Sequence, residues 1–225
     1  MEHPILFLDL LFGKFGLHIP PHLSYAVLVS LILLGLGWLA GRQITVVPKG
    51  AQNVFELIIG GLEEFMVDVT GEEGRSFFPF IATFFLFIMV CNLIGLIPGF
   101  LSPTSNINIT LSLALCTFVY THYLGVKYHG AKYIKHFLGP IPALAPLFFP
   151  IELIGHFARV LSLTLRLFGN IMGEDLVLAV LLFLAGQFLA PLPMMFLAVF
   201  TSVVQAFVFT LLSMMYFAGS MEHAH

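Results

Sequence analysis

Residues 150–189 read PIELIGHFARVLSLTLRLFGNIMGEDLVLAVLLFLAGQFL, and their reading decides the architecture. No proline follows Pro150 until Pro191. Proline suits the first turn of a helix, so the stretch predicts one helix of about 40 residues, about 60 Å long at 1.5 Å per residue. A bilayer's hydrocarbon core is only ~30 Å thick. Such a helix crosses strongly tilted or bent, with Gly155, Gly169, Gly173 and Gly186 as sites for kinks or close approach. At about 100° per residue, with Glu152 at zero, His156 falls near 40°, Arg159 near 340° and Arg166 near 320°. Asn170 returns to zero and Glu174 to about 40°. These polar residues share an arc of ~80° on an otherwise apolar helix, and Asp175 sits about 100° further round. An ionisable side chain at a span's centre costs ~2.5–3.5 kcal/mol on insertion scales. The stripe must therefore face water or protein rather than lipid. It reads as an ion or proton pathway, with structural ion pairs such as Glu152 with Arg159 as the plainer alternative.

The rest of the chain has the same character. Of its 225 residues, 59% are hydrophobic and 9% charged, with a mean hydropathy of +1.02. A soluble domain carries about 25% charged residues. The composition excludes a soluble, disordered or nucleic-acid-binding protein and predicts an all-α polytopic membrane protein in a single membrane domain, residues 1–225. Asp, Glu, Lys and Arg are absent from 76–126 and from 176–221. Turn signals at Pro98-Gly99, Ser102–Asn106 and Pro191–Pro193 divide these stretches. About five transmembrane helices follow, near 23–41, 77–97, 107–126, 150–189 and 194–218, the last two forming a long tilted pair. If those two are antiparallel, Gln205 approaches the middle of the stripe. Gly50–Thr70 is instead amphipathic, with Gln52, Asn53, Glu56, Gly60 and Glu63 opposite Val54, Leu57, Ile58, Leu62, Phe65 and Val69. It is expected to lie in the interface.

Basic residues set the orientation. Only Lys14 precedes the first span; Arg42, Lys49 and Arg75 follow it, and Lys127, Lys132 and Lys135 follow the third. Both basic loops are expected in the cytoplasm, with the N-terminus and the turns at 98–106 and 191–193 outside and the C-terminus inside. Glu2 and His3 stand where a signal peptide is basic, so the first span is expected to serve as an uncleaved anchor. The nine Lys+Arg against twelve Asp+Glu contain no basic block for nucleic acid. Cys91 and Cys116 read as apolar packing residues, with no metal-ligand spacing. No phosphate-binding loop occurs, so no ATP site or cofactor is expected on this chain, and no nucleophile–base pair marks an enzyme. His122 and His129 read as interface polarity, whereas Asn92 and Asn108 are candidates to line an aqueous route.

Arg166 is the sharpest residue. Positions 162, 163, 169 and 170 are Ser, Leu, Gly and Asn, so no opposite charge lies within a turn. Arginine stays protonated, and the other spans carry no carboxylate. Its counter-charge is expected from a second protein. The alternative is a self-contained secondary transporter in which Arg166 binds an anionic substrate, a reading that an inverted repeat would favour; none is visible.

Ser162-Leu-Thr-Leu-Arg166-Leu-Phe-Gly-Asn170 resembles the signature of subunit a of F-type ATP synthases. Asn92-Leu-Ile-Gly-Leu-Ile-Pro98, Asn106-Ile-Asn-Ile-Thr-Leu-Ser112 and Gln205-Ala-Phe-Val-Phe agree in the same order. The resemblance implies a bacterial inner-membrane stator subunit working with a rotor ring of carboxylate-bearing c subunits and with peripheral-stalk subunit b. It implies two aqueous half-channels meeting the ring on either side of Arg166, the transported ion being H+ with Na+ left open. Asn170, Gln205, Ser162, Glu152 and Asn92 match polar positions of the family, and His156 joins the same stripe. Two departures stand out. The acidic or His position nine residues after the arginine is Asp175, with Glu174 before it, and the His or acidic position seven before the glutamine is Ala198. The family register points to Asp175 and the helical wheel to Glu174; because the two half-channels must not connect, a relay group off the arginine's face is expected, so Asp175 is expected to be the half-channel acid and Glu174 the second acid.

Overall fold

The structure is a computed structural model describing residues 8, 19–42, 51–97, 99–130, 133, 145–185 and 191–221. Among these, six α-helices and two short 3-10 turns occur and no strand. The helices are α1 (Pro21–Arg42), α2 (Ala51–Thr70), α3 (Phe78–Ile94), α4 (Ile107–His129), α5 (Ala145–Ala185) and α6 (Pro191–Met221), with 3-10 turns at Glu72–Phe77 and Pro103–Ser105. All but α2 are long and apolar enough to cross a membrane, α3 together with the turn before it. Lys14, Lys49, Lys132, Lys135, Pro98, Gly186 and the end of the fourth expected span lie outside the described residues.

The long helix starts earlier than the proline suggested. α5 begins at Ala145, leaving Pro150 inside it. The first four N–H groups of any helix lack an intrahelical partner, so a proline in sixth place costs only the bond to the carbonyl of residue 146. At 41 residues, α5 is about 60 Å long.

Side-chain packing sets the rotation of each helix. α5 buries Val160, Leu163, Leu167 and Ile171, a spacing of three and four, against α4 and α6. Its opposite side exposes Ile154, Leu161, Leu165, Leu176 and Phe183. In α3, Phe77, Ile81, Phe85 and Ile88 from the turn and helix face the same core, as do Phe209, Met214 and Phe217 of α6. Phe80 stacks on Tyr120 at 4.4 Å, and Phe77 meets Phe217 edge-on at 5.3 Å. Aromatic pairs of this kind add about 0.5–1.5 kcal/mol beyond area burial.

The amphipathic α2 does not rest its apolar side on lipid alone. Leu62 and Met66 are buried in the main core, and Phe65 meets Phe207 of α6 at 5.1 Å. Leu57, on the same helix, stays 76% exposed. The polar edge carries Glu63, 4.0 Å from Arg75, which also bonds Glu72 at 2.9 Å.

At the other end of the bundle, residues 95–97 and 99–106 fold back over the helix ends. Tyr25 of α1 donates its hydroxyl to Gly99 O at 3.1 Å, and Asn106 caps α4 by accepting from Asn108 N–H at 2.9 Å. Asn108, read as a candidate channel polar group, is thus placed in the first turn of α4 with its side chain exposed. Gly95 permits the fold-back, because a Cβ there would lie 2.6 Å from Ser102 Cβ and 3.1 Å from Ser102 N. Backbone atoms cannot swing aside as a flexible side chain can. Gly95→Ala is expected to lower stability by about 1–3 kcal/mol through overpacking. Thermal denaturation in detergent, compared with an exposed control such as Gly60→Ala, checks it; equal midpoints would refute the close-packing account.

Candidate functional site

The polar residues of α5 divide between the buried face and its edge. His156 and Glu174, at about 40°, fall on the core side between Leu163 and Leu167; Arg159 and Arg166, near 340° and 320°, turn out of the bundle. Accordingly His156 is buried, Glu152, Glu174 and Asp175 are half-buried, and Arg159, Ser162 and Asn170 are exposed. Arg166 is half-buried at the seam between the two surfaces.

Three groups form along the helix. In the middle, Arg166 Nη2 donates to Ser162 Oγ at 3.3 Å. Among the described residues it has no ion pair. One turn on, Asn170 Nδ2 donates to Gln205 Oε1 of α6 at 2.7 Å. Gln205 is buried, and its Nε2 has no hydrogen-bond partner among the described residues. A buried amide N–H left unmet costs about 1–3 kcal/mol, so this donor suits a water or an external acceptor.

Toward the 95–106 end, Thr201 of α6 donates its hydroxyl to Glu174 Oε1. Next to Thr201, the carbonyl of Ser202 accepts from Asn92 Nδ2 of α3 at 3.3 Å. Asn92 Oδ1 accepts from Thr104 at 2.6 Å, and Thr104 lies 2.8 Å from Ser102, whose hydroxyl also reaches Cys91 O at 2.9 Å. Two hydroxyl protons therefore serve three contacts. Ser202 Oγ is buried beside this chain with no partner. The sequence marks Asn92 and Glu174 as site residues but not Thr104, Thr201 or Ser202, although Thr201 and Ser202 stand among the polar residues of the last span. Their signal was weak, because hydroxyl side chains occur throughout these helices. Asp175 has no hydrogen bond or ion pair among the described residues, so the fold ties the first acid, not the second, to α6. Ala198 is 2% exposed, and its carbonyl also accepts from Thr201.

Toward the opposite end, His156 Nε2 is 3.4 Å from Glu152 Oε1. The structure thus pairs Glu152 with His156, four residues on, rather than with Arg159. Arg159 instead lies over the Tyr216 ring at 5.4 Å, a cation–π contact with α6. Residue 152 lies about 21 Å from residue 166 along the axis, and residue 174 about 12 Å beyond it. Two polar clusters are thus held well apart, with a fixed cation between them.

Residues 23–218 match the family ATP synthase A chain. The ATP synthase subunit a of Syntrophobacter fumaroxidans is 59% identical over 239 aligned positions, and that of Desulfosudis oleivorans 58% over 229; each alignment spans the whole of both chains. The subunit a of Citrifermentans bemidjiense is 50% identical over 233 positions, again across both full lengths. The chain belongs to the ATP synthase A chain family, the non-catalytic, membrane-embedded stator subunit through which F-type ATP synthases conduct protons.

Proposed function

We propose that residues 1–225 act as one membrane domain holding two proton half-channels, separated by Arg166, against a rotor ring of carboxylate-bearing c subunits, with peripheral-stalk subunit b as a further partner. The observation that carries this reading is a half-buried arginine at the seam of the bundle with no carboxylate partner among the described residues. A carboxylate brought to about 4 Å from Arg166 gains roughly 4 kcal/mol at an effective dielectric of 20. That favours its ionised form about a thousandfold, so a ring acid arriving at Arg166 gives up its proton. The same positive charge repels a proton seeking to pass directly from one cluster to the other.

Asn92, Thr104, Thr201, Ser202 and Glu174 line the half-channel opening on the 95–106 side, which the basic loops place outside. Glu152 and His156 belong to the cytoplasmic one. Ser162, Asn170 and Gln205 hold the middle, where Gln205 Nε2 can donate to a ring carboxylate. Asp175 adjoins Glu174 as a second acid. Thr201, one turn after Ala198, supplies the polar contact to α5 that Ala198 lacks. The transported ion is H+.

Arg166→Ala is expected to abolish ATP-driven proton pumping in inverted membrane vesicles at equal assembly. Arg166→Lys should also lose most of it, since an ammonium lacks the planar fork and loses its proton when desolvated. Normal pumping by the alanine variant would overturn the assignment. Because Thr201 links Glu174 to α6, Glu174→Gln should slow pumping more than Asp175→Asn; the reverse ranking would return the role to the family register. For orientation, a cysteine placed at Lys127 should resist an impermeant thiol reagent in intact cells while one at Ser105 reacts. The opposite pattern would invert the topology.

A further inference from the structure

A second constellation, which the sequence reading took for interface polarity, lies where α4 ends and α5 begins. The His122 ring of α4 sits 4.9 Å, centre to centre, from the ring of His156, which is 7% exposed. His122 Nδ1 is 2.8 Å from the Tyr133 hydroxyl. Tyr133 reaches this place only because residue 125 is glycine, where a Cβ would fall 2.3 Å from the tyrosine ring. Glu152 holds the other side of His156. Among the described residues, Arg159 and Tyr216 also stand beside the pair.

A narrow cleft with room for about one water opens beside His156 between α4, α5 and α6. Thr117, Thr121, His156, Arg159 and Leu163 are on its wall. Leu163 is about 4.5 Å along the helix axis from Arg166. The cleft therefore leads from the histidines to within one turn of the arginine. Helix packing alone gives no reason for two imidazoles and a carboxylate here, since apolar side chains would fill the space without the cost of burying polar groups. Among the described residues these side chains do not gather as a metal-ligand set.

We propose that His156 and His122 form a two-step proton relay between this cleft and the cytoplasm, with Glu152 and Tyr133 as positioning residues. The proposal rests on the two-half-channel reading and gives its cytoplasmic arm named carriers. A neutral imidazole accepts a proton and, as imidazolium, releases it again. During ATP hydrolysis a cytoplasmic proton binds neutral His122 and passes to His156. His156 releases it through water in the cleft to a ring carboxylate, which becomes the carboxylic acid. Both imidazoles end neutral, and one proton leaves the relay for each that enters. During synthesis the same steps run backwards. Glu152 steadies the charged form of His156, and the Tyr133 hydroxyl fixes the His122 ring.

The test uses the intact ATP synthase in liposomes with a protonophore, so that no gradient opposes rotation, and reads ATP hydrolysis. His156→Gln keeps a side chain that can hydrogen-bond Glu152 but carries no proton. It should slow turnover about tenfold, less than the ~hundredfold or more of a positioned acid–base group in an enzyme, because water remains as a poorer carrier. Imidazole added to the buffer should restore the rate in this variant and leave the unmodified enzyme unchanged. His122→Asn should behave likewise and carries the test alone if the first variant assembles poorly. Normal turnover in these variants, or a loss that imidazole does not restore, would overturn the relay. If Arg166→Ala still pumps protons normally, the half-channel reading itself fails; if it is blocked while both histidine variants run normally, only the relay fails.

Discussion

A guanidinium held in a long apolar helix with no ion pair among the described residues is the constraint on which the rest of the structure turns. Arginine cannot shed its proton to escape the low dielectric. A buried unpaired charge is among the costliest features a fold can carry. Here the cost is limited by position, because Arg166 occupies the seam between the packed side of α5 and its outward side. Among the described residues its one hydrogen bond, to Ser162, lies on its own helix. The arrangement leaves the charge directed at whatever covers the outer surface of α5, where apolar Leu161 and Leu165 stand exposed beside it.

The length of α5 gives that charge its mechanical meaning. A helix of 41 residues spans more than the membrane needs. It can hold one polar cluster about 21 Å to one side of Arg166 and another about 12 Å to the other. Each cluster is completed by different neighbours. Glu174 meets Thr201 of α6, beside the Asn92 and Thr104 network of α3 and the 95–106 loop. His156 meets His122 of α4. The core between them, built from Leu163, Leu167 and Ile171 against α4 and α6, is apolar. The polar side chains buried there, Thr117, Thr164, Thr210 and Ser213, donate to backbone carbonyls of their own helices.

The spans were legible because lipid forbids charge over long runs, and the gaps at 76–126 and 176–221 are visible without any structure. Arg166 was legible for the same reason, as a fixed charge whose possible local partners could be checked one by one. Pro150 misled at the helix start, because one proline near an N-terminus removes a single bond and the helix continues upstream of it. The covered side of α2 was legible as apolar but not as protein-facing, since amphipathicity is the same whether lipid or α6 lies beneath. The contacts Glu174–Thr201, Asn92–Thr104 and His156–His122 were beyond the sequence. Each depends on the rotation of two helices about their own axes, and hydroxyl and imidazole side chains carry no periodic signal that fixes it.

The central claim is that the outer surface of α5 beside Arg166 is covered by a helix of another subunit carrying a membrane-embedded carboxylate. A photoreactive side chain introduced at Leu165, which is 52% exposed, measures this directly. Illumination of the assembled complex should join the chain to such a helix, identified by mass spectrometry of the adduct, and should arrest coupled ATP hydrolysis. Adducts with lipid alone, or with a helix lacking any intramembrane carboxylate, would contradict the account.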